Sequence, residues 1–274
     1  MKRPKSVALV GGGNFSSSSL AGFWLLPEVL GPVKASSLRL ASRIANSLRA
    51  GHPVKDYSEF DNCTLILISV PDRALHGVIS QLCSSNISWK EKCIVLLSDS
   101  RGSCDLREFI SRGAAVGSIT TIPGSADLDY LIEGDRRAIQ KARRLVESRE
   151  RRCLCIERGS KPLYLAALTC TSSLLFPLVM AASESMRRAG VPPVLANGIL
   201  ERQLSRCLRS YARGGKRAYA PPAELSRQLR ALYATDPALG HYMERACQLT
   251  EQLLERRPAI TGTNLDRRSI ATMR

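Results

Sequence analysis

The chain is poor in metal ligands. No Cys-x-x-Cys pair occurs among its nine cysteines, and its only histidines are His52, His76 and His241. Zinc-type spacing is absent, so no metal site is expected. An odd number of scattered thiols does not suit a disulfide framework and points to a reducing cytoplasm. Cys153 and Cys155, two apart in a strand-like run, would point to one face without bridging. A secretory leader is not expected either: behind Met1-Lys2-Arg3-Pro4-Lys5 the apolar core runs only four residues before glycines and serines interrupt it. One uncharged run, from Pro162 to Ala182, is long enough to cross a bilayer. It carries Thr169, Thr171, Ser172, Ser173 and Pro177 and lacks an aromatic belt, so it reads as a buried central helix. Acidic residues are missing altogether from Val29 to Lys55.

What is present describes a globular protein. Of 274 residues, 44% are hydrophobic and 23% charged, enough for a proper core and two domains. Charge is uneven. Residues 1–135 hold 14 basic and 13 acidic side chains, whereas residues 136–274 hold 26 and 11. Such an excess suits either an arginine-rich solvated helical surface or a polyanion-binding face. Arg202, Arg206, Arg209 and Arg213 would form one stripe, but aromatic interleaving and any recognised nucleic-acid motif are lacking, so nucleic acid is not the expected partner.

The first thirty-odd residues organise the chain. Val7-Ala8-Leu9-Val10 is a strand-type run that stops at Gly11-Gly12-Gly13. A stretch of helical character follows, Phe15 to Leu26, ended by Pro27, and a strand-like run from Val33 to Ser37 closes the unit. Strand, glycine turn, helix and strand is the layout of a dinucleotide-binding βαβ unit. A glycine turn lets the backbone approach a pyrophosphate, and the next helix offers it unpaired N–H groups. Gly11 and Gly13 fill the first two glycine positions, but the third is Ser16. The competing reading is a glycine-rich turn without a ligand.

Further along, Leu40, Ile44 and Leu48 mark one face of a helix from Leu38 to Arg49. An extended piece is expected near Pro53 to Tyr57. The runs Cys63–Val70 and Cys93–Leu97 read as strands buried on both faces. Between them a helix after Pro71-Asp72 turns Leu75, Val78, Ile79 and Leu82 inward. A helix at Asp105–Arg112, a strand at Ala115–Ile119, then Tyr130–Glu133, a helix at Arg136–Arg149 and a strand at Cys153–Ile156 complete a doubly wound α/β sheet. From Pro162 only helices are expected: one to about Ala189, ended by Gly190 and kinked at Pro177, then Val194–Tyr211, Ala223–Tyr233 and Ala238–Arg256. Residues 258–274 read as a flexible tail.

The end of the second strand separates the two pyridine coenzymes. An acidic residue there would bind the ribose 2′-hydroxyl of NAD. The sequence has Ala35-Ser36-Ser37-Leu38-Arg39 instead, with Arg43 one turn on, which predicts NADP(H) over NAD(H). Arg39 as an ordinary exposed helix residue is the alternative.

Gly11-Gly12-Gly13-Asn14, Leu67-Ile68-Ser69-Val70-Pro71-Asp72, Gly113-Ala114-Ala115-Val116-Gly117-Ser118 and Lys161-Pro162-Leu163-Tyr164 recur in the same order in a known family. Over about residues 5–257 the chain resembles bacterial Rossmann-like proteins carrying the helical domain of unknown function 2520. Those are similar in turn to pyrroline-5-carboxylate reductase and other short two-domain reductases. The resemblance implies a Rossmann domain over 1–158 and a helical domain over 159–257, like the C-terminal domain of 6-phosphogluconate dehydrogenase. It further implies a homodimer through the helical domain and a cleft between domains. Gly11, Gly13, Asn14, Phe15, Ser16, Ser36, Ser37, Arg39, Val70 and Pro71 would bind the cofactor. Where the family tends to have a His-Pro pair this chain has Thr120-Thr121; a favoured His is Leu165, an Asn is Ser173, and a Thr-Gly-Pro stretch is represented by Tyr219-Ala220-Pro221-Pro222. Leucine cannot transfer a proton and threonine is a poor acid or base. Lys161 and Ser173 remain as catalytic candidates, Tyr164 behind them. The expected activity is hydride transfer between NADP(H) and an unidentified small molecule; the alternative is a nucleotide-binding sensor of the same fold that has lost catalysis.

Overall fold

A computed structural model describes residues 6–12, 23, 25–122, 130–147, 152–220 and 222–255. The expected helix over 15–26 lies mostly outside these, as do the tail at 258–274 and Pro221. The chain divides into two compact units, 1–170 and 171–274. That division falls inside the helix that opens with Lys161.

Among the described residues the first unit has eight strands: β1 (Val7–Gly11), β2 (Leu30–Lys34), β3 (His52–Pro53), β4 (Leu65–Ser69), β5 (Cys93–Leu97), β6 (Ala115–Thr121), β7 (Tyr130–Gly134) and β8 (Cys153–Cys155). They form one sheet in the order β3-β2-β1-β4-β5-β6-β7-β8. Only β7 runs antiparallel to its neighbour β6, and β8 follows β7 in parallel. The helices of this unit among the described residues are α1 (Leu26–Val29), α2 (Leu38–Leu48), α3 (Asp72–Cys83), α4 (Arg107–Ile110), α5 (Arg136–Val146) and α6 (Lys161–Thr171), whose last residue enters the second unit. Strand side chains alternate between two cores. Val7, Leu9, Leu65 and Leu67 pack on one face with Ile44, Ala142 and Leu145, while Ala8, Val10, Ile66 and Ile68 pack on the other with Phe60, Leu82 and Phe109. Burial on both faces explains why β4 and β5 are continuous apolar runs.

Several boundaries differ from the sequence reading for identifiable reasons. Pro27 opens α1 and does not end a helix, because a first-turn proline loses no internal hydrogen bond. The second strand covers Leu30–Lys34, three residues ahead of the expected Val33–Ser37. Its register against β1 shifts from Val7↔Leu30 to Leu9↔Val33, so Gly31-Pro32 form a bulge where a missing N–H is tolerated. Ser37 is not in the strand but caps α2, its hydroxyl accepting from Leu40 N at 3.2 Å. The expected long helix after Pro162 is two helices, α6 and α7 (Leu175–Arg188), parted by a turn at 172–174. Pro177 has no N–H for the Ser173 carbonyl, and its ring would crowd that carbonyl, so the helix restarts there and is not merely kinked.

The second unit comprises α7, α8 (Pro193–Gly214), α9 (Leu225–Thr235) and α10 (Pro237–Glu255). Its helices bury little: α7 has no buried residue, α8 only Ala196, and α10 only Gly240. The expectation of a buried central helix is therefore corrected. Lys161–Arg188 is long and apolar enough to cross a membrane by length and composition, and none of its most apolar window is buried. Leu163, Phe176 and Met180 are 74%, 64% and 58% exposed.

Candidate functional site

The glycine turn sits where the strand order reverses. Beyond the end of β1, Gly12 N donates to Ser69 O of β4 at 3.1 Å. A Cβ built on Gly12 would stand 3.2 Å from Val70 Cγ1 and 3.7 Å from Pro71 Cδ, so a side chain there would crowd the β4 end. With β2 on one side of β1 and β4 on the other, this is a topological switch point, the usual ligand crevice of such sheets. A cavity of about 300 Å³ opens here. Gly11, Ser36, Val70 and Pro71, four of the predicted cofactor residues, line it. Gly13, Asn14, Phe15 and Ser16 lie outside the described residues. Ser37 is taken up in capping α2, and Arg39 stands exposed on α2 without lining the cavity. Tyr57, Arg73 and Gln81 line it although nothing local in the sequence marked them.

A second cavity, about 110 Å³, lies across the ends of β4, β5 and β6. Ser69, Ser98, Asp99, Thr120 and Thr121 give it polar walls, and Phe23 and Tyr130 meet edge to face at 5.7 Å. Thr120 Oγ1 donates to Asp99 Oδ1 at 2.6 Å, leaving the carboxylate oriented at the rim. The sequence marked Thr120-Thr121 only as a departure from the family and passed over Asp99. Its signal was the polar Ser98-Asp99-Ser100 directly after a buried strand.

Beside this cavity two charged groups are held inside the protein. Glu133 is fully buried and accepts four hydrogen bonds: Oε1 from Ser103 N and Ser118 Oγ at 2.6 Å each, Oε2 from Ser103 Oγ at 2.6 Å and Gly159 N at 2.9 Å. Burial alone would raise its pKa, but the bonds from Ser103, Ser118 and Gly159 outweigh it and hold the carboxyl below its ordinary value. Lys161 is 1% exposed and its amine donates to Ser98 O at 2.5 Å. Burial lowers its pKa, opposed by the carboxylates of Glu133, Asp99, Asp105 and Asp72. Gly102 lies against both; a Cβ there would meet Glu133 Oε1 at 3.2 Å and Lys161 Cβ at 3.7 Å. Lys161 thus braces the end of β5 from inside. Ser173 is exposed on the turn at 172–174 in the second unit, so the two catalytic candidates belong to different units. The Tyr164 hydroxyl is buried without a hydrogen-bond partner among the described residues. No group of three or more His, Cys, Asp or Glu that could hold a metal occurs among them.

In the second unit, α7, α9 and α10 border an open apolar cavity of about 910 Å³ lined by side chains such as Met186, Leu232, Tyr242 and Met243. The arginines at 202, 206, 209 and 213 are all exposed on α8.

Comparison with known proteins agrees with this geometry. Residues 129–224 match the family described as Domain of unknown function (DUF2520). No curated protein matches the chain in sequence. Among solved structures, a Bacteroides fragilis protein assigned by name as an NADP oxidoreductase superposes with a TM-score of 0.66 at 15% identity, covering 92% of this chain and 99% of its own. An imine reductase from Aspergillus terreus, in complex with NADPH4 and dibenz[c,e]azepine, gives 0.63 at 19% identity, covering 90% and 93%. One from Myxococcus stipitatus, a variant in complex with NAD+, gives 0.62 at 16%, covering 86% and 87%. The resemblance read from the sequence is therefore borne out: residues 129–224 carry the match to the domain of unknown function 2520, within a Rossmann-plus-helical fold shared with oxidoreductases of the imine reductase type.

Proposed function

We propose that this protein is an NADP(H)-dependent oxidoreductase that moves a hydride between the coenzyme and a small molecule. The observation that carries the reading is the Gly11-Gly12 turn at the β1/β4 switch point, crowded against Val70 and Pro71 and opening on a cavity that includes Ser36. Residues of this chain would bind the diphosphate through main-chain N–H groups and leave the chemistry to the coenzyme, which supplies the hydride when bound. The Asp99–Thr120 pair is suited to orient a polar substrate group at the strand ends, and Lys161 acts through Ser98 as a positioning residue. The imine reductases among the structural relatives make a carbon–nitrogen double bond the first substrate class to test.

The test is fluorescence titration with NADPH and NADH, followed by an absorbance assay over imines, ketones and aldehydes. NADPH should bind more tightly than NADH; binding of neither coenzyme would overturn the reading. A sensor without catalysis is the second reading, favoured by the burial of Lys161 on Ser98 O, which keeps its amine from a substrate. Binding without turnover across the panel supports it.

The same reading takes the protein to be a cytoplasmic homodimer. Nine free thiols suit a reducing compartment. Phe176, Met180 and Val194 are exposed apolar side chains of the second unit that a second copy would cover. A bilayer would suit the run from Pro162 to Ala182 less well, because Thr169, Thr171, Ser172 and Ser173 interrupt it and it lacks an aromatic belt.

A further inference from the structure

The cavity at the switch point contains a cation that neither the glycine turn nor the sheet requires. Arg73 lines it from the first turn of α3, is exposed, and makes no hydrogen bond or ion pair among the described residues. Its neighbour Asp72 is by contrast tied to Ser100 and Arg101. A positive side chain at the start of a helix is opposed by the helix field, so local structure gives no reason for an arginine there. The other cations nearby are placed differently. Arg39 and Arg43 are exposed on α2 and do not line the cavity. Lys34 donates its amine to Ala35 O at 2.7 Å and lies 5.5 Å from the centre of the Tyr57 ring. Arg73 is therefore the cationic side chain on the wall of this cavity among the described residues.

On the same wall is Ser36, two residues past the end of β2, in the region where sheets of this kind read the ribose 2′ position. Its hydroxyl makes no bond among the described residues. Resting on the dinucleotide reading above, we propose that Arg73, and not Arg39, is the residue that selects NADP(H), its guanidinium taking the 2′-phosphate of the adenosine while Ser36 donates to the same group. A guanidinium presents paired N–H donors to phosphate oxygens, a geometry that a hydroxyl alone cannot supply. Because Arg73 is exposed, the contact should weaken as salt rises.

Calorimetry with the full-length protein tests this, using NADPH, NADH, adenosine 2′,5′-bisphosphate and 5′-AMP as probes. Arg73→Ala should weaken NADPH and the bisphosphate by about 10- to 100-fold, the loss of one charged hydrogen-bonding contact, and leave NADH and 5′-AMP within about twofold. Arg73→Lys should recover part of the loss, and Arg39→Ala should leave all four probes within about twofold. Thermal melts of each variant check that folding is intact. A selective loss in Arg39→Ala instead overturns the assignment, as does an equal loss of NADH and NADPH in Arg73→Ala. If the unaltered protein binds none of the four probes, the dinucleotide reading falls together with this one. If it binds both coenzymes and Arg73→Ala changes nothing, only the assignment of Arg73 falls.

Discussion

Replacing Glu133 by glutamine should destabilise the first unit without changing its shape. The carboxylate accepts from two main-chain N–H groups, one on each oxygen: Ser103 N on Oε1 and Gly159 N on Oε2. An amide can accept on one side only. Whichever way it is turned, its NH2 faces one of those N–H groups, while the serine hydroxyls can rotate to adapt. One opposed buried donor costs about 1–3 kcal/mol, and weakening the remaining bonds from charged to neutral adds to it, giving about 2–4 kcal/mol in all. For a unit of this size that is a fall in Tm of roughly 4–16 °C. Urea unfolding followed by tryptophan fluorescence reads the right unit, because Trp24 and Trp89 both fall within residues 1–170. The effect has a pH signature. The folded carboxyl has a lowered pKa, so its stabilisation is present above the ordinary carboxylate range and is lost as pH falls through the depressed folded value. The gap between the parent and Glu133→Gln should therefore narrow on acidification. A variant within about 0.5 kcal/mol of the parent at neutral pH would refute the four-bond description of this site.

Other expectations follow from the same geometry. Gly134 has φ +132 and a Cβ there would stand 2.3 Å from Val116 O, so Gly134→Ala should abolish folded yield or cost more than about 4 kcal/mol by denaturant titration. Gly12→Ala should weaken NADPH by about tenfold or more in a fluorescence titration while moving stability by less than about 1 kcal/mol, since only Val70 Cγ1, at 3.2 Å, must give way slightly. Lys161→Met keeps the volume but leaves Ser98 O unpaired, and should cost about 1–3 kcal/mol in urea unfolding. On the homodimer reading, Phe176→Glu together with Met180→Glu should halve the mass measured by light scattering; an unchanged dimer would put the interface elsewhere.

Much of the fold is legible in the sequence wherever the physics is local. The strands β4 and β5 announce themselves because burial on both faces demands uninterrupted apolar residues. The strand β2 is displaced because Gly31-Pro32, a bulge, hides three of its residues from a simple apolar count. Pro27 and Pro177 mislead in opposite directions. Both lie in a helical first turn, and a sequence window cannot tell a proline that opens a helix from one that bends it. The exposed surface of the helices beyond Pro162 could not be foreseen, since an apolar residue looks the same whether its own chain or something else covers it.

The candidate site divides along the same line. The glycine turn is contiguous, and Gly11, Val70 and Pro71 do line the cavity. Arg73 and the Asp99–Thr120 pair come from α3, the segment after β5, and β6, separate elements whose meeting no spacing rule reveals. Arg39 is the instructive contrast. It stands two residues past the strand end expected at Ser37, but β2 ends at Lys34 and Ser37 caps α2, so Arg39 is an exposed residue of that helix and does not line the cavity.

Lys161 gives the rim of the smaller cavity an asymmetry between its main chain and its side chains. The amine holds a carbonyl, not a side chain, so Asp99 can be exchanged without breaking that tie, whereas the Ser98 hydroxyl accepts from Ser100 N and Arg101 N and belongs to the bracing of the loop itself. Diversification to a new small molecule could therefore proceed at Asp99 and its partner Thr120 on an unmoving track. The track itself is tethered to the root of α6, so an insertion or deletion between Leu97 and Gly102 would dislodge the lysine and the pocket together.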